Sequence, residues 1–597
     1  MAMSHRPEGA SAPVDAVATL RLGRIATRAL PSLMLASLAV FVPVLLAYQH
    51  RALGVPRGDD WSYIRTLFNW AEGDGLSFNN WVSMTLVGQL ILALPVTWIR
   101  GRDIVALQVG VAIFGYIGIL CCVNTARGVG LPRSRAWLLG FVVAVGPIWS
   151  VLTVTFMTDV PSFAVASIAT ALAVRALLSD RPSTRLVILA VAAGTYAFAI
   201  RQYAIVPLAA FLPIVLSVLH RDRDPRFKKM LAFVGIIALA AIGFFIYWSQ
   251  IPDSKHFAPE LPSGHSLRTL FYSGAGMLRL LGLWMLPCLL WRGTATIANT
   301  TRAVGKGLTA LVTIPLGLGL LAVGFNSPRT AFVGNYFVPN GVLADGVVAG
   351  QRGDIVPMWF WNVLIVVGTI GAVGLAQAVI PVATAFVKKV KSRDTSIVDP
   401  VAAYLCLCIT FYAAGYATAA ITGLPLYDRY VLPVVPLVGT MLLRKKVVVT
   451  IPSLDRIDPE VASSLLVEYA RRSRDAIFAA VAVLVLFGLS VHFAADSASF
   501  DGARWRVASD AVHLGYGPRQ IAGSFEWDNY FSPRPGTKSR RTGEPCIRVT
   551  VDPKNRRKLK NSIVVRRWYR APLHTPVPVL ALLTQPACEP AFREAVK

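Results

Sequence analysis

The chain has 597 residues, of which 55% are hydrophobic and only 15% charged. Soluble globular proteins carry about 25% charged residues, so a surface wetted on all sides is excluded. With a mean hydropathy of +0.56, disorder and a soluble nucleic-acid-binding class are excluded too. The composition is that of a polytopic membrane protein, in which the net charge of +27 acts through where it sits.

Arg21, Arg24 and Arg28 precede an apolar run from Leu30 to Tyr48. A cleaved signal peptide has the same order but a shorter apolar core and small residues at the cut, so a retained first span is expected. Further windows long enough to cross a bilayer, some short or broken by proline, fall at 104–123, 136–152, 161–179, 186–200, 203–219, 230–249, 270–291, 307–324, 357–380, 400–421, 430–443 and 475–495. Residues 82–99 form another apolar stretch. The basic loops at Arg127/Arg133/Arg135, Arg221/Arg223/Arg226, Lys388/Lys389/Lys391 and Arg444/Lys445/Lys446 share one side only if 82–99 does not cross, and cytoplasmic loops are the basic ones. That stretch, with Gln89 and Pro95, therefore reads as a juxtamembrane or re-entrant element. The expectation is about 13 transmembrane helices, a cytoplasmic N-terminal tail (1–29), a membrane domain (30–495) and an extracytoplasmic C-terminal domain (496–597). The long external segments are 49–103, 250–269 and 325–356, and 444–474 is cytoplasmic, with an amphipathic helix near Val461 to Tyr469. No internal repeat supports a transporter built of two equal halves.

This topology gathers ionisable residues at the outer ends of the spans. Asp59 and Asp60 lie in Arg57-Gly58-Asp59-Asp60-Trp61-Ser62-Tyr63, Asp159 in Phe156-Met157-Thr158-Asp159-Val160-Pro161, and Arg201-Gln202 between two spans. Lys255, His256 and His265 occupy the 250–269 loop; Arg329, Asp345, Arg352 and Asp354 occupy the 325–356 loop; Asp428 and Arg429 begin a late span. Taken singly, the aspartates read as helix caps, the arginines as snorkelling anchors and the histidines as solvated loop residues. Their recurrence on one face points to a functional cavity, because ionisable groups are costly this close to hydrocarbon.

These residues, in this order, resemble the GT-C superfamily of polyprenyl-phosphate-sugar-dependent glycosyltransferases, which includes the protein O-mannosyltransferases and the bacterial lipid A aminoarabinose transferase. Asp59-Asp60-Trp61 is similar to the family's acidic pair followed by an aromatic in the first external loop, and Thr158-Asp159 to the acid of the next external loop. Ile200-Arg201-Gln202-Tyr203 resembles the Arg-Gln element of the dolichyl-phosphate-glucose glucosyltransferases, and Asp428-Arg429-Tyr430-Val431-Leu432-Pro433 the Arg-Tyr-x-x-Pro element of late spans. The resemblance covers roughly residues 20–495. The sequence departs from many relatives where they carry a His-Pro-Pro-Leu-like element; here the stretch is Asn79-Asn80-Trp81-Val82. The resemblance implies an all-α polytopic GT-C-like fold and transfer of a sugar from a polyprenyl phosphate or diphosphate to an extracytoplasmic glycan, glycolipid or protein. It implies no nucleic-acid partner and an address in the plasma membrane.

That chemistry needs a base for the acceptor hydroxyl, which contributes about 10²–10⁴-fold, and positive charge for the phosphate leaving group. Asp59, Asp60 and Asp159 are the acid candidates, with Asp59, the first of the pair, in the position the relatives use as base. Arg201, Arg429, Lys255 and Arg352 are candidates for the phosphate, since an Arg fork donates two hydrogen bonds at once. Trp61, Tyr63, Gln202, Tyr427 and His256 are candidates for contacting substrate. Asp60 and Asp159 allow a divalent cation without requiring one. A transporter or flippase of lipid-linked sugars, which would carry acids near the bilayer midplane, is the alternative function, and a non-catalytic GT-C-like scaffold is another.

Residues 496–597 carry 18 basic against 9 acidic residues, a field suited to anionic lipids or envelope polymers. An amphipathic helix from Asp501 to Ala511 and β-like runs at Cys546 to Val551, Ser562 to Tyr569 and Pro578 to Leu583 predict a small α/β domain. Cys121, Cys122, Cys288, Cys406 and Cys408 lie in apolar runs and read as packing residues. Cys546 and Cys588 lie outside them, where an external pair is expected to form a disulfide. Reporter fusions after Arg102 should be extracytoplasmic and those after Arg133 cytoplasmic; a cytoplasmic reading at Arg102 would break the parity that joins Asp59 to Asp159.

Overall fold

A computed structural model describes residues 29–179, 181–255, 263–293, 295–326, 331–334, 336–342, 348–350, 352–391, 399–444, 459–533, 545–551, 562–570, 573 and 575–585. Ten helices among them are long and apolar enough to cross a membrane: Ala29–Gln49, Ile104–Gly128, Asp159–Leu177, Gln202–Arg221, Phe227–Ser249, Ser266–Arg292, Val304–Asn326, Met358–Pro381, Pro400–Ile421 and Ser473–His513. The protein is an integral, multi-pass helical membrane protein. Three of the thirteen expected windows are realised as shorter elements. Residues 136–152 break at Gly146-Pro147 into Arg133–Ala144 and Trp149–Leu152; 186–200 lies in Thr184–Ile200; 430–443 becomes a 3₁₀ turn, Asp428–Val431, followed by Val435–Leu443. The stretch at 82–99 is the helix Val87–Arg100. Its 14 residues rise about 21 Å, short of the roughly 30 Å hydrocarbon core.

Five helices position the site: α1 (Asp60–Ala71), α2 (Val87–Arg100), α3 (Asp159–Leu177), α4 (Pro459–His513) and α5 (Phe525–Phe531). α3 is the core of the bundle, with 83% of its apolar window buried, whereas Phe227–Ser249 buries none of its window. Leu231, Ile236, Leu239, Ile242 and Ile246 are exposed along that peripheral helix, as a lipid-facing surface requires. Lipid supplies no hydrophobic drive between helices, so close approach rests on small residues. A Cβ on Gly118 would lie 2.7 Å from the Cα of Ala164 on α3, and one on Gly282 only 2.3 Å from the Ala372 amide nitrogen.

α4 was expected as separate amphipathic, spanning and amphipathic pieces, but it is one helix of 55 residues, about 80 Å long. It carries the chain directly from a candidate span into the C-terminal α/β part, so residues 495 and 496 are consecutive helical positions. β1 (Phe337–Val338) and β2 (Gly341–Val342) pair as a separate two-stranded ribbon, and β3 (Ala349–Gly350), β4 (Ile521–Ala522), β5 (Ile547–Val551), β6 (Ile563–Tyr569) and β7 (Val577–Leu583) form the sheet there, in the order β3-β5-β7-β6 with β4 also on β5. β5 and β7 pair antiparallel from Ile547↔Leu583 to Val551↔Val579, and β3, from the 325–356 segment, joins β5 in parallel. Phe500, Trp505, Ile521, Trp527, Val549, Tyr569 and Val579 fill the core between sheet, α4 and α5. Cys546 is disulfide-bonded, the five cysteines of the apolar runs are free, and Cys588 lies outside the described residues.

Two buried charge networks fasten this part to the membrane loops. Arg57 pairs through Nε with Asp501 Oδ2 at 2.7 Å and donates to Ser497 Oγ at 2.7 Å. Arg504 joins Asp501 to Glu526, reaching Asp501 Oδ1 at 2.7 Å and Glu526 Oε1 at 2.8 Å. Gly58, at φ +61°, a left-handed conformation that glycine adopts without strain, donates its amide to Glu526 Oε1 at 3.1 Å. In the second network Arg352 donates to Asp496 and to the Tyr569 hydroxyl, and Asp496 also accepts the Val342 amide at 3.2 Å. Removing one partner of a buried network strands the others. Arg504→Met should therefore destabilise the protein by about 3–5 kcal/mol, read as a lower midpoint in tryptophan-fluorescence melting; an unchanged midpoint would show that the network adds no stability.

Candidate functional site

Asp59 is the residue before the first turn of α1, yet its side chain caps no backbone amide. It turns instead to Trp81, whose indole N–H donates to Asp59 Oδ1 at 2.9 Å. Asn80 makes that approach with φ +59°, a left-handed conformation that Asn tolerates better than most residues. Asn79 ties the same segment to α1, donating to the Ser62 carbonyl at 2.8 Å and accepting from Ser62 Oγ at 2.7 Å. The segment that departs from the family pattern thus steadies the helix and supplies a donor to the first acid.

Asp60, one residue on, points elsewhere, as consecutive helical residues must. It is fully buried and accepts the amides of Arg57 and, at 3.0 Å, Phe156. Burial pushes its carboxyl up to about 8, against the lowering by those two amides. Asp60 therefore fastens α1 to the segment that leads into α3.

Asp159 opens α3 with a fully buried carboxylate. Arg201 Nη1 lies 2.7 Å from Asp159 Oδ2, and Arg429 Nε lies 3.5 Å from Oδ1. Arg201 also donates to Thr158 Oγ1 at 2.8 Å, and Arg429 to the Tyr336 hydroxyl at 2.9 Å. Arg429 Nη2 stands 4.0 Å from Asp59 Oδ2, so one arginine faces both acids. Asp59 is the more open of the two, with 31% of its side chain exposed. Tyrosines enclose the guanidinium groups: Tyr203 lies 4.8 Å and Tyr430 5.3 Å from Arg201, and Tyr427 4.6 Å from Arg429. Tyr203 donates to Asp159 Oδ1 at 3.4 Å. Arg429 Nε, which faces Asp159 Oδ1, and Asp159 Oδ2, which faces Arg201, are buried without an aligned hydrogen-bond partner among the described residues, so charge rather than directed bonding holds both arginines to this carboxylate.

Of the remaining sequence candidates, Lys255 comes to the site, its ammonium 4.6 Å from the Trp81 ring. Trp61 is buried against Trp81 and Phe525 of α5, at 6.3 and 6.1 Å between ring centroids. Tyr63 is buried, and that burial, then Asp59, raises its phenol well above the usual tyrosine range. Gln202 donates to the Ser83 carbonyl at 2.9 Å. Arg352 does not join them: its guanidinium belongs to Asp496 and Tyr569 and stacks 4.2 Å from Phe500, because β3 draws this part of its loop into the C-terminal sheet. His256, Arg329 and Asp345 lie outside the described residues. Asp428 accepts the amides of Val333, Tyr336 and Phe337 at 2.8–3.2 Å and so positions the loop that carries Tyr336.

No group of three or more His, Cys, Asp or Glu among the described residues is arranged to hold a metal ion. A cation shared by Asp60 and Asp159 would have to displace the amides of one and the arginines of the other. Sequence reasoning missed Trp81, Tyr203, Tyr336, Tyr430 and Phe525. Tyr203 and Tyr430 stood inside the motifs already quoted, whereas nothing local marked Tyr336 or Phe525. Asp60→Asn would set an amide NH₂ against a backbone N–H and should cost about 1–3 kcal/mol. Asp59→Asn, at a partly exposed position, should leave the melting midpoint within a degree or two; equal midpoints for the two variants would contradict this division of roles.

Residues 84–248, a little over a quarter of the chain, match the family described as dolichyl-phosphate-mannose-protein mannosyltransferase. That segment contains Asp159, Arg201 and Gln202. No curated protein matches the chain. Among solved structures it is similar to ArnT from Cupriavidus metallidurans bound to undecaprenyl phosphate, with 12% identity over 91% of this chain and 97% of that one and a TM-score of 0.40. It is also similar to the oligosaccharyltransferase of Archaeoglobus fulgidus in the apo form, with 15% identity over 82% of this chain and 58% of that one and a TM-score of 0.40. The chain resembles the GT-C glycosyltransferases.

Proposed function

We propose that this protein is a GT-C glycosyltransferase that moves a hexosyl or pentosyl group from a polyprenyl phosphate or diphosphate to an extracytoplasmic glycan, glycolipid or protein. Its N-terminus is cytoplasmic, and residues 496–597 form an extracytoplasmic domain against which the first external loop is held. The observation that carries the reading is the pairing of an open carboxylate, Asp59, with Arg429, which is itself shared with the buried Asp159. The family match over residues 84–248 supports the same class of chemistry.

The geometry supports the following roles. Asp59 accepts the proton of the acceptor hydroxyl as the hydroxyl oxygen bonds to the sugar's anomeric carbon. The bond from that carbon to the phosphate oxygen breaks, and the polyprenyl phosphate leaves as an anion. Arg429 and Arg201 bind that anion, and Asp159 holds the two forks in place between turnovers, so that little reorganisation accompanies charge development. Trp81 flanks Asp59 and carries Lys255 on its ring, and Trp61, Tyr63, Gln202 and Tyr427 shape the surroundings of the sugar.

Asp59→Asn should give a folded, membrane-inserted protein that binds donor lipid but transfers little or no sugar, a loss of about 10²–10⁴-fold. Arg201→Lys and Arg429→Lys should also lose activity, because the fork is lost while the charge stays. The measurement is transfer from a synthetic short-chain polyprenyl-phosphate sugar in detergent, with donor binding followed separately. Undiminished transfer by Asp59→Asn removes it as the base, and near-normal turnover in both lysine variants removes the phosphate assignment.

A further inference from the structure

One face of α1, turned more than about 100° from Asp59, leads away from the acids. Trp61, Arg65 and Phe68 succeed one another at helical spacing. Arg65 lies six residues, about 9 Å along the axis, beyond Asp59. There a cavity of about 560 Å³ opens between α1 and the C-terminal domain. Arg65 and Phe68 of α1 line it together with Arg519, Tyr530 and Phe531 of the C-terminal part, and Arg102 also lines it. None of the described residues that line it is acidic.

Three guanidinium groups around one cavity repel each other unless something neutralises them. Arg102 is paired outside the lining with Glu72, and both of those side chains are exposed. The other two arginines are held by groups that carry no charge. Arg65 Nη1 donates to the carbonyls of Asn529 at 3.1 Å and Tyr530 at 3.3 Å, and also to that of Ser532; Arg519 Nε donates to the Phe531 carbonyl at 3.2 Å. A carbonyl orients a guanidinium and leaves its charge uncancelled. Burial, with the charges of Arg519 and Arg102 adding to it, lowers the proton affinity of Arg65. The site is therefore positive, with no described acidic residue lining it. Its apolar walls are aromatic, with Tyr530 and Phe531 edge-to-face at 5.1 Å; such rings offer flat faces on which a sugar ring can stack.

We propose that this cavity binds the anionic group, phosphate or carboxylate, of an acidic acceptor glycan, leaving a hydroxyl further along the same glycan to reach Asp59. Occupancy of the cavity is independent of the transferase reading, and only the link to Asp59 rests on it. An anionic oxygen group fits the arginine forks, and because Arg65 lies beyond Asp59 along α1 and on a different face, the placement suits an oligosaccharide acceptor whose charge and reacting hydroxyl lie on different rings.

The test is calorimetric titration of the full-length protein in neutral detergent with trigalacturonate, with maltotriose monophosphate and with neutral maltotriose. Both acidic trisaccharides should bind and neutral maltotriose should not. Arg519→Gln, a change at an exposed position, should weaken that binding by about tenfold. Glu72→Gln frees Arg102 for the cavity and should tighten binding by about threefold. Neither change should alter donor-lipid binding. In the transfer assay Arg519→Gln should raise KM for an acidic acceptor and leave kcat unchanged. Equal affinity for acidic and neutral trisaccharides, or insensitivity to both substitutions, would overturn the proposal. So would displacement of bound trigalacturonate by phosphatidylglycerol in mixed micelles at equal anion concentration, which would mark a lipid-headgroup site. If Asp59→Asn retains transfer while the titrations behave as described, the transferase assignment of Asp59 fails and the anion site stands.

Discussion

A fully buried carboxylate at the start of the central helix is the constraint on which the arrangement around the acidic pair depends. Asp159 sits where desolvation is severe, and a lone charge there would be prohibitive. Arg201 and Arg429 neutralise it from two different helix junctions, so the ends of three chain segments are fixed relative to one another. Because two arginines meet one buried aspartate, the cluster holds positive charge in excess, and that excess faces Asp59. Tyr203, Tyr336, Tyr427 and Tyr430 surround the guanidinium groups with π faces and hydroxyls. The result is a preorganised positive centre next to a partly open carboxylate, an arrangement suited to receiving a phosphate and a hydroxyl side by side.

The C-terminal domain is continuous with this arrangement. Arg57 and Gly58 immediately precede the acidic pair, and both bind residues of 496–597: Arg57 binds Asp501 and Ser497, and Gly58 binds Glu526. Phe525, next to Glu526, packs against Trp61 and Trp81. The position of Asp59 is thus set by contacts from both sides, the bundle through Asp60 and Phe156 and the C-terminal part through Arg57 and Glu526. Uninterrupted helix from the candidate span into that domain makes the coupling stiff, since α4 has no loop in which to hinge.

Within this frame the two adjacent aspartates diverge for a geometric reason. The rotation of about 100° per residue sends Asp60 inward to two amides and leaves Asp59 partly exposed beside Trp81. Similar logic separates the arginines. Arg201 and Arg429 lie at helix junctions beside Asp159, while Arg352 follows a strand that pairs with β5, and the pairing carries its side chain to Asp496.

Composition and the order of apolar runs determined that the chain is a multi-pass helical membrane protein, because a low charge content and long apolar stretches admit no other way to satisfy the backbone. Short motifs marked Asp59, Asp159, Arg201 and Arg429, since ionisable residues beside hydrocarbon are too costly to be incidental. β-like runs in the last hundred residues likewise announced the strands at 547–551, 563–569 and 577–583. Tertiary structure alone decided the rest. It divided Asp59 from Asp60, since which face of a helix is buried depends on what packs against it. It sent Arg352 away from the acids through strand pairing across about 200 residues of chain. It brought Tyr336 to Arg429 and Phe525 to Trp61, and converged Arg65, Arg102 and Arg519 on one cavity. None of these contacts is local in sequence: each is made only when distant segments are packed together, so no spacing or motif along the chain encodes it.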